Sequence, residues 1–140
     1  MRIRFNFLNK ISLSNRTKLK QFVYALTQSE KTAIGDLNII FCSDEYLLKI
    51  NNEFLQHNYY TDIITFDLSS KNDTEKTVEI YISTERLKEN ANNFNTSLQM
   101  ELHRVIFHGV LHICGYKDKS KVDKELMKSM ENKYLNKYFK

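Results

Sequence analysis

Proline is absent from this chain of 140 residues, and glycine and cysteine are scarce at three and two. With no internal repeats and no low-complexity runs either, nothing marks a linker between domains, and residues 1–140 are expected to form one domain with a proper core. The missing proline itself says nothing about function. Cys42 and Cys114 lie far apart in apolar stretches and form no CxxC pair, which excludes a disulfide framework and reads as two free thiols in a reducing cytosol. No apolar run approaches the ~20 residues of a membrane span, and the start MRIRFNFLNK lacks the apolar segment of a secretory signal. A soluble, cytoplasmic protein without membrane contact is the expectation.

Charge of one sign is lacking over most of the chain. Residues 1–116 carry 13 basic and 13 acidic side chains, whereas residues 117–140 carry 8 and 4, so the whole net charge of +4 lies in the last segment. A basic excess there suits a polyanion such as RNA or DNA. Taken by itself, though, a lysine-rich solvated helix face is the better explanation, and charge alone does not identify a substrate.

What the sequence does contain is the run His108–Asp118, HGVLHICGYKD. Histidines four residues apart share one face of a helix, so His108 and His112 can point at one ion. Gly115 can end that helix in the left-handed conformation, and Asp118 can then turn back to the same point. HxxxHxxGxxD thus offers two nitrogens and one oxygen, as in a catalytic zinc shell that keeps its fourth position for water. Cys114, rotated by about 200° from His112, is a packing residue, and His103 is expected at the surface or behind the ligands. The segment from Phe107 to Cys114 is apolar on nearly every side, so two unpartnered imidazoles would be buried there without a metal.

The remaining segments read as βαβαββααα. RIRFNF, LNIIFC, DIITFDL and TVEIYIS have the alternation or β-branching of strands. Ser14 or Thr17 is expected to cap a helix over about 15–28 that Gly35 and Asp36 end; Ser43 or Asp44, Thr84, Thr96 or Ser97, and Ser120 open the others. NNEFLQHNYY reads as a polar loop. In the last helix Val122, Leu126, Met130, Tyr134 and Tyr138 form the predicted docking stripe. The fold class is α/β (α+β), a mixed four-stranded sheet covered by about five helices, with the metal site on a central buried helix.

HGVLHICGY, TDIITF and ISTERLKENA occur in an order that resembles the YbeY family of bacterial rRNA maturation factors, over roughly residues 35–135. The resemblance implies a zinc-dependent, single-strand-specific endoribonuclease with one Zn²⁺ per chain, acting in 16S rRNA 3′-end processing and ribosome quality control. Its implied partners are ribosomal RNA and ribosomal subunits. By position, the first two family zinc ligands match His108 and His112. Asp118, preceded by Lys117, stands where most members have a histidine; carboxylate remains an acceptable ligand and adds one negative charge to the shell.

A second departure is Leu55, at the position of a family arginine. If that arginine steadies the scissile phosphate, Arg86, Lys117 and His57 are the candidates to replace it. A non-catalytic rRNA-binding assembly factor with a structural metal is the alternative function. HxxxHxxGxxD also resembles the HExxHxxGxxH zinc peptidases, but Gly109 occupies the position of their general base. Glu101 lies seven residues before His108, about 10.5 Å along the axis, too far for direct reach.

Overall fold

The structure, a computed structural model, describes residues 1–140. β1 (Arg2–Phe7) alternates, with Ile3, Phe5 and Phe7 on the core side. The chain crosses through α1 (Arg16–Ser29) into β2 (Ile34–Cys42), then through α2 (Asp44–Leu55) to β3 (Ile63–Asp67) and β4 (Lys76–Ser83). Three consecutive helices follow, α3 (Thr84–Asn93), α4 (Leu98–Ile113) and α5 (Lys121–Tyr138). The sheet order is β1-β2-β4-β3, parallel except for β3, which runs antiparallel to β4 along one edge. The element order is the one expected, and the fold is a mixed sheet with five helices.

Helix starts follow the serine chemistry closely. The Ser43, Ser83, Ser97 and Ser120 side chains each accept a backbone N–H from the first turn of α2, α3, α4 and α5. At Ser120 the N3 residue, Asp123, reaches back to form a capping box. Each such cap stabilises its helix by about 1 kcal/mol.

Helix α1 departs from expectation at both ends. Its N-cap falls on Asn15, whose left-handed backbone (φ 53°) replaces the extended geometry a capping side chain needs, so neither Ser14 nor Thr17 caps it. It ends at Ser29, where Lys31 turns left-handed and the Thr32 N–H bonds the Thr27 carbonyl. Gly35 and Asp36 do not break this helix. They belong to β2, at an irregularity in register where the strand absorbs one extra residue against β4. The expected polar loop after residue 50 is also shorter, because α2 runs to Leu55 before Gln56 turns it (φ 55°).

Helix α4 is the centre of the molecule. Leu102, Ile106, Phe107, Val110 and Leu111 are fully buried between the sheet and α5. Gly109 faces the sheet: a Cβ there would stand 2.9 Å from Ile63 Cδ1 and 3.0 Å from Ile80 Cδ1, so only glycine permits this approach. Three residues of the helical stripes are displaced from their expected places. His103 is not at the surface but 2% exposed, packed against Phe107, Tyr138 and Phe139, because α5 covers that side of α4. On α5, Tyr134 and Tyr138 are buried as expected, but Val122 (74% exposed) and Leu126 (51%) face solvent. The docking face is Met127, Glu131, Tyr134, Leu135 and Tyr138, since the first turns of α5 project beyond the core.

Candidate metal centre

His108 and His112 lie in the last two turns of α4, and Gly115 (φ 111°) reverses the chain directly after them. Both rings are anchored through Nδ1. His108 Nδ1 donates to Glu131 Oε2 at 2.7 Å, and His112 Nδ1 donates to the carbonyl oxygen of Tyr116 at 3.1 Å. A carbonyl or carboxylate can only accept, so in the neutral rings the lone pair lies on Nε2. His108 Nε2 is 3.8 Å from Asp118 Oδ2. The expectation of two buried, unpartnered imidazoles is corrected: His108 is half-buried with a carboxylate partner, and His112 is exposed because Gly115 turns the chain away from it.

All three expected ligands border one cavity of about 230 Å³, with Thr61, Asp62, Ile63 and Thr65 from the start of β3 as its other wall. The donor set suits a divalent ion, with two imidazoles presenting Nε2 and one carboxylate oxygen. As the side chains stand, no three His, Cys, Asp or Glu groups converge to metal-holding distance. Closure on an ion therefore requires side-chain adjustment.

Behind His108 stands a polar chain that the motif does not contain. Glu131, buried on the docking face of α5, accepts from His108 with one oxygen and from Arg104 Nη1 with the other, at 3.2 Å. Arg104 also bonds Asn132 Oδ1 at 3.3 Å and stands 3.6 Å from Glu101 Oε1. Burial lowers the His108 pKa, but the hydrogen bond and charge of Glu131, with Asp118 and Asp62, outweigh it and raise the pKa above the ordinary value. Burial pushes the carboxyl groups of Asp62 and Glu101 up, with their acidic neighbours adding to the shift. Glu131 lies on α5 four residues after Met127 and four before Leu135, on the face the structure buries, and the expected stripe of Val122, Leu126, Met130, Tyr134 and Tyr138 passes it by.

A second cleft, of about 480 Å³, opens on the α5 side of His108 and Asp118. Glu101, Arg104, Lys124, Lys128 and the exposed ring of Phe94 line it. The three residues expected to hold phosphate line neither cleft. Arg86 bonds Asp44 at 3.0 Å and lies over Tyr60, His57 stacks on Tyr59, and Lys117 is exposed beside Asp118. Leu55 ends α2 with its side chain partly exposed.

Comparison with known proteins joins this geometry to a family. Residues 6–139 match the family described as Endoribonuclease YbeY. The chain belongs to the YbeY family. An Endoribonuclease YbeY of Flavobacterium johnsoniae is 47% identical over 133 residues, covering 95% of this chain and 94% of that protein. The Cytophaga hutchinsonii protein of the same name is 46% identical over 89% of this chain and 86% of its own length. The fold is shared with a Thermotoga maritima protein solved in solution, with a TM-score of 0.59 at 26% identity, covering 97% of this chain and 89% of that one. YbeY relatives are endoribonucleases by name, hydrolases that act on RNA.

Proposed function

We propose that this chain is a zinc-dependent endoribonuclease, one domain over residues 1–140, that cleaves single-stranded RNA in the cytoplasm during rRNA maturation and ribosome quality control. The carrying observation is the pair of Nδ1-anchored imidazoles that share one cavity with Asp118. His108, His112 and Asp118 would hold the ion. When bound, it supplies Lewis acidity to a phosphodiester oxygen and a water made nucleophilic near neutral pH. The protein's own part is orientation: Glu131 and the Tyr116 carbonyl hold each ring in the tautomer that presents Nε2.

Substrate holding falls to cations around the site. Lys124 and Lys128 on α5 flank the cleft beside Asp118, and the Phe94 ring offers a face on which a base can stack. Lys117 adds charge next to Asp118, while Arg86 and His57, outside both clefts, can meet only a more distant part of an RNA strand. Ribosomal RNA within the ribosomal subunits is the proposed substrate.

The peptidase reading meets a steric obstacle, since a glutamate Cβ at position 109 would collide with Ile63 and Ile80. Leu55 in place of an arginine favours the non-catalytic assembly factor, and one experiment separates the two. Purified protein is incubated with single-stranded rRNA with zinc, with chelator, and as Asp118→Ala checked for folding by circular dichroism. Cleavage lost in the last two samples supports the nuclease; rRNA left intact by zinc-loaded wild type supports the assembly factor.

A further inference from the structure

Three segments far apart in sequence meet at one carboxylate on the side of the molecule behind His112. Glu30, the residue that closes α1, accepts the Tyr116 hydroxyl on Oε1 at 2.7 Å and the Tyr134 hydroxyl on Oε2. Tyr134 is buried on the docking face of α5. Tyr116 follows Gly115 directly, and its backbone carbonyl is the acceptor for His112 Nδ1. The same short turn leads through Lys117 to Asp118.

The His112 ring is exposed and has no other protein partner for Nδ1. Its orientation and tautomer therefore depend on where the Tyr116 carbonyl stands, and an exposed turn after a glycine does not hold itself. Backbone bonds fix only part of it: the Gly115 N–H reaches the His112 carbonyl and the Tyr116 N–H reaches the Leu111 carbonyl. The side chain of Tyr116 supplies the remaining anchor.

We infer that Glu30 is a positioning residue for the metal centre: through the Tyr116 hydroxyl it holds the Tyr116 carbonyl under His112 and sets the direction in which the chain delivers Asp118. This rests on the metal-centre reading above. Glu30 touches neither ion nor substrate; its effect passes through hydrogen bonds that end on a ligand's rear nitrogen, the kind of interaction whose removal lowers metal affinity by about 10–100-fold.

The test uses the full chain as wild type, Glu30→Ala, Glu30→Gln, Tyr116→Phe, the Glu30→Ala and Tyr116→Phe double variant, and His112→Ala. Tyr116→Phe keeps the carbonyl and the aromatic ring and removes only the hydroxyl. Nitrogen-15 spectra of the metal-free proteins at pH 8.5 report the His112 tautomer, and competition against a chelating dye reports Zn²⁺ affinity. Wild type should hold the Nδ1–H form. Glu30→Ala and Tyr116→Phe should both release it to a mixture and weaken Zn²⁺ about tenfold or more, with no further loss in the double variant. Glu30→Gln, which keeps one acceptor oxygen, should recover part of both. If His112→Ala weakens Zn²⁺ while Glu30→Ala and Tyr116→Phe keep the wild-type tautomer and affinity, the inference is overturned alone. If His112→Ala leaves Zn²⁺ affinity unchanged, the metal-centre reading itself is overturned, and the inference about it with it.

Discussion

Glu131 carries two hydrogen bonds from cations or potential cations in a buried position. Replacing it with alanine frees the His108 ring to rotate and leaves Arg104 without its main acceptor. Zinc affinity should fall by about 10–100-fold, read by chelator competition. Glu131→Gln, which can still accept from His108 through its carbonyl oxygen, should fall less. Gly109 is sensitive for a different reason. Gly109→Ala gains about 1 kcal/mol of helix propensity but overpacks against two isoleucines on the sheet, at a cost of about 1–3 kcal/mol. Urea denaturation should show a net loss of stability. That His108, His112 and Asp118 border one cavity was legible in the sequence, because the spacing of side chains along one helix and its following turn is a local property. Glu131 and Glu30 were not, because a carboxylate gains meaning only from partners 23 and 86 residues away along the chain.

Among the elements, α4 and α5 pack so that His103 is buried among aromatic rings, its Nδ1 bonded to the Gln99 carbonyl at 2.6 Å and its Nε2 without a partner. Burial, with the Lys18 charge adding, holds its pKa below the ordinary value of 6.5, against the hydrogen bond to Gln99. The unfolded chain therefore binds a proton below pH 6.5 that the folded chain refuses, so stability rises with pH through that window. In the metal-free protein His108 works the other way. Its raised folded pKa stabilises the fold at low pH, and that contribution is lost as pH rises above 6.5 through the folded pKa. Urea midpoints for wild type and His103→Phe between pH 5 and 7.5 should show an acid-side slope in the former that flattens in the latter; equal slopes would remove His103 from the account. Elements themselves were legible where a single signal dominated, as at the capping serines Ser43, Ser97 and Ser120 and the β-branched strands, while α3 is capped by Ser83 one residue before the expected Thr84. The stripe on α5 departs from expectation in its first turns because periodicity reports which residues share a face and is silent on how far the underlying core extends.

At the scale of the whole molecule, the basic excess of residues 117–140 becomes a surface beside the candidate centre, with Lys124 and Lys128 on the cleft wall. Binding of single-stranded RNA should weaken as salt rises. Lys124→Ala with Lys128→Ala should reduce the slope of log affinity against log salt by about 0.7 for each phosphate that is no longer neutralised, largely independent of RNA sequence. Filter binding of an oligonucleotide across a salt series measures it. A mixed four-stranded sheet and one central helix were expected from the sequence, whereas the strand order β1-β2-β4-β3 and the two clefts were not, since they exist only once the elements are assembled.

The close approach at Gly109 also fixes the phase of α4. Residues 108 and 109 are about 100° apart around the helix axis, so pressing the bare backbone of one against Ile63 and Ile80 dictates the compass bearing of the other. Gly109→Ala with both isoleucines in place would force the helix to roll or lift, whereas trimming Ile63 and Ile80 to valine removes the two Cδ1 atoms that its Cβ would meet and lets the helix keep its bearing. In the rolled variant the histidines would be intact in sequence and aimed elsewhere, so the sheet surface shares with His108 and His112 themselves in deciding where those rings point.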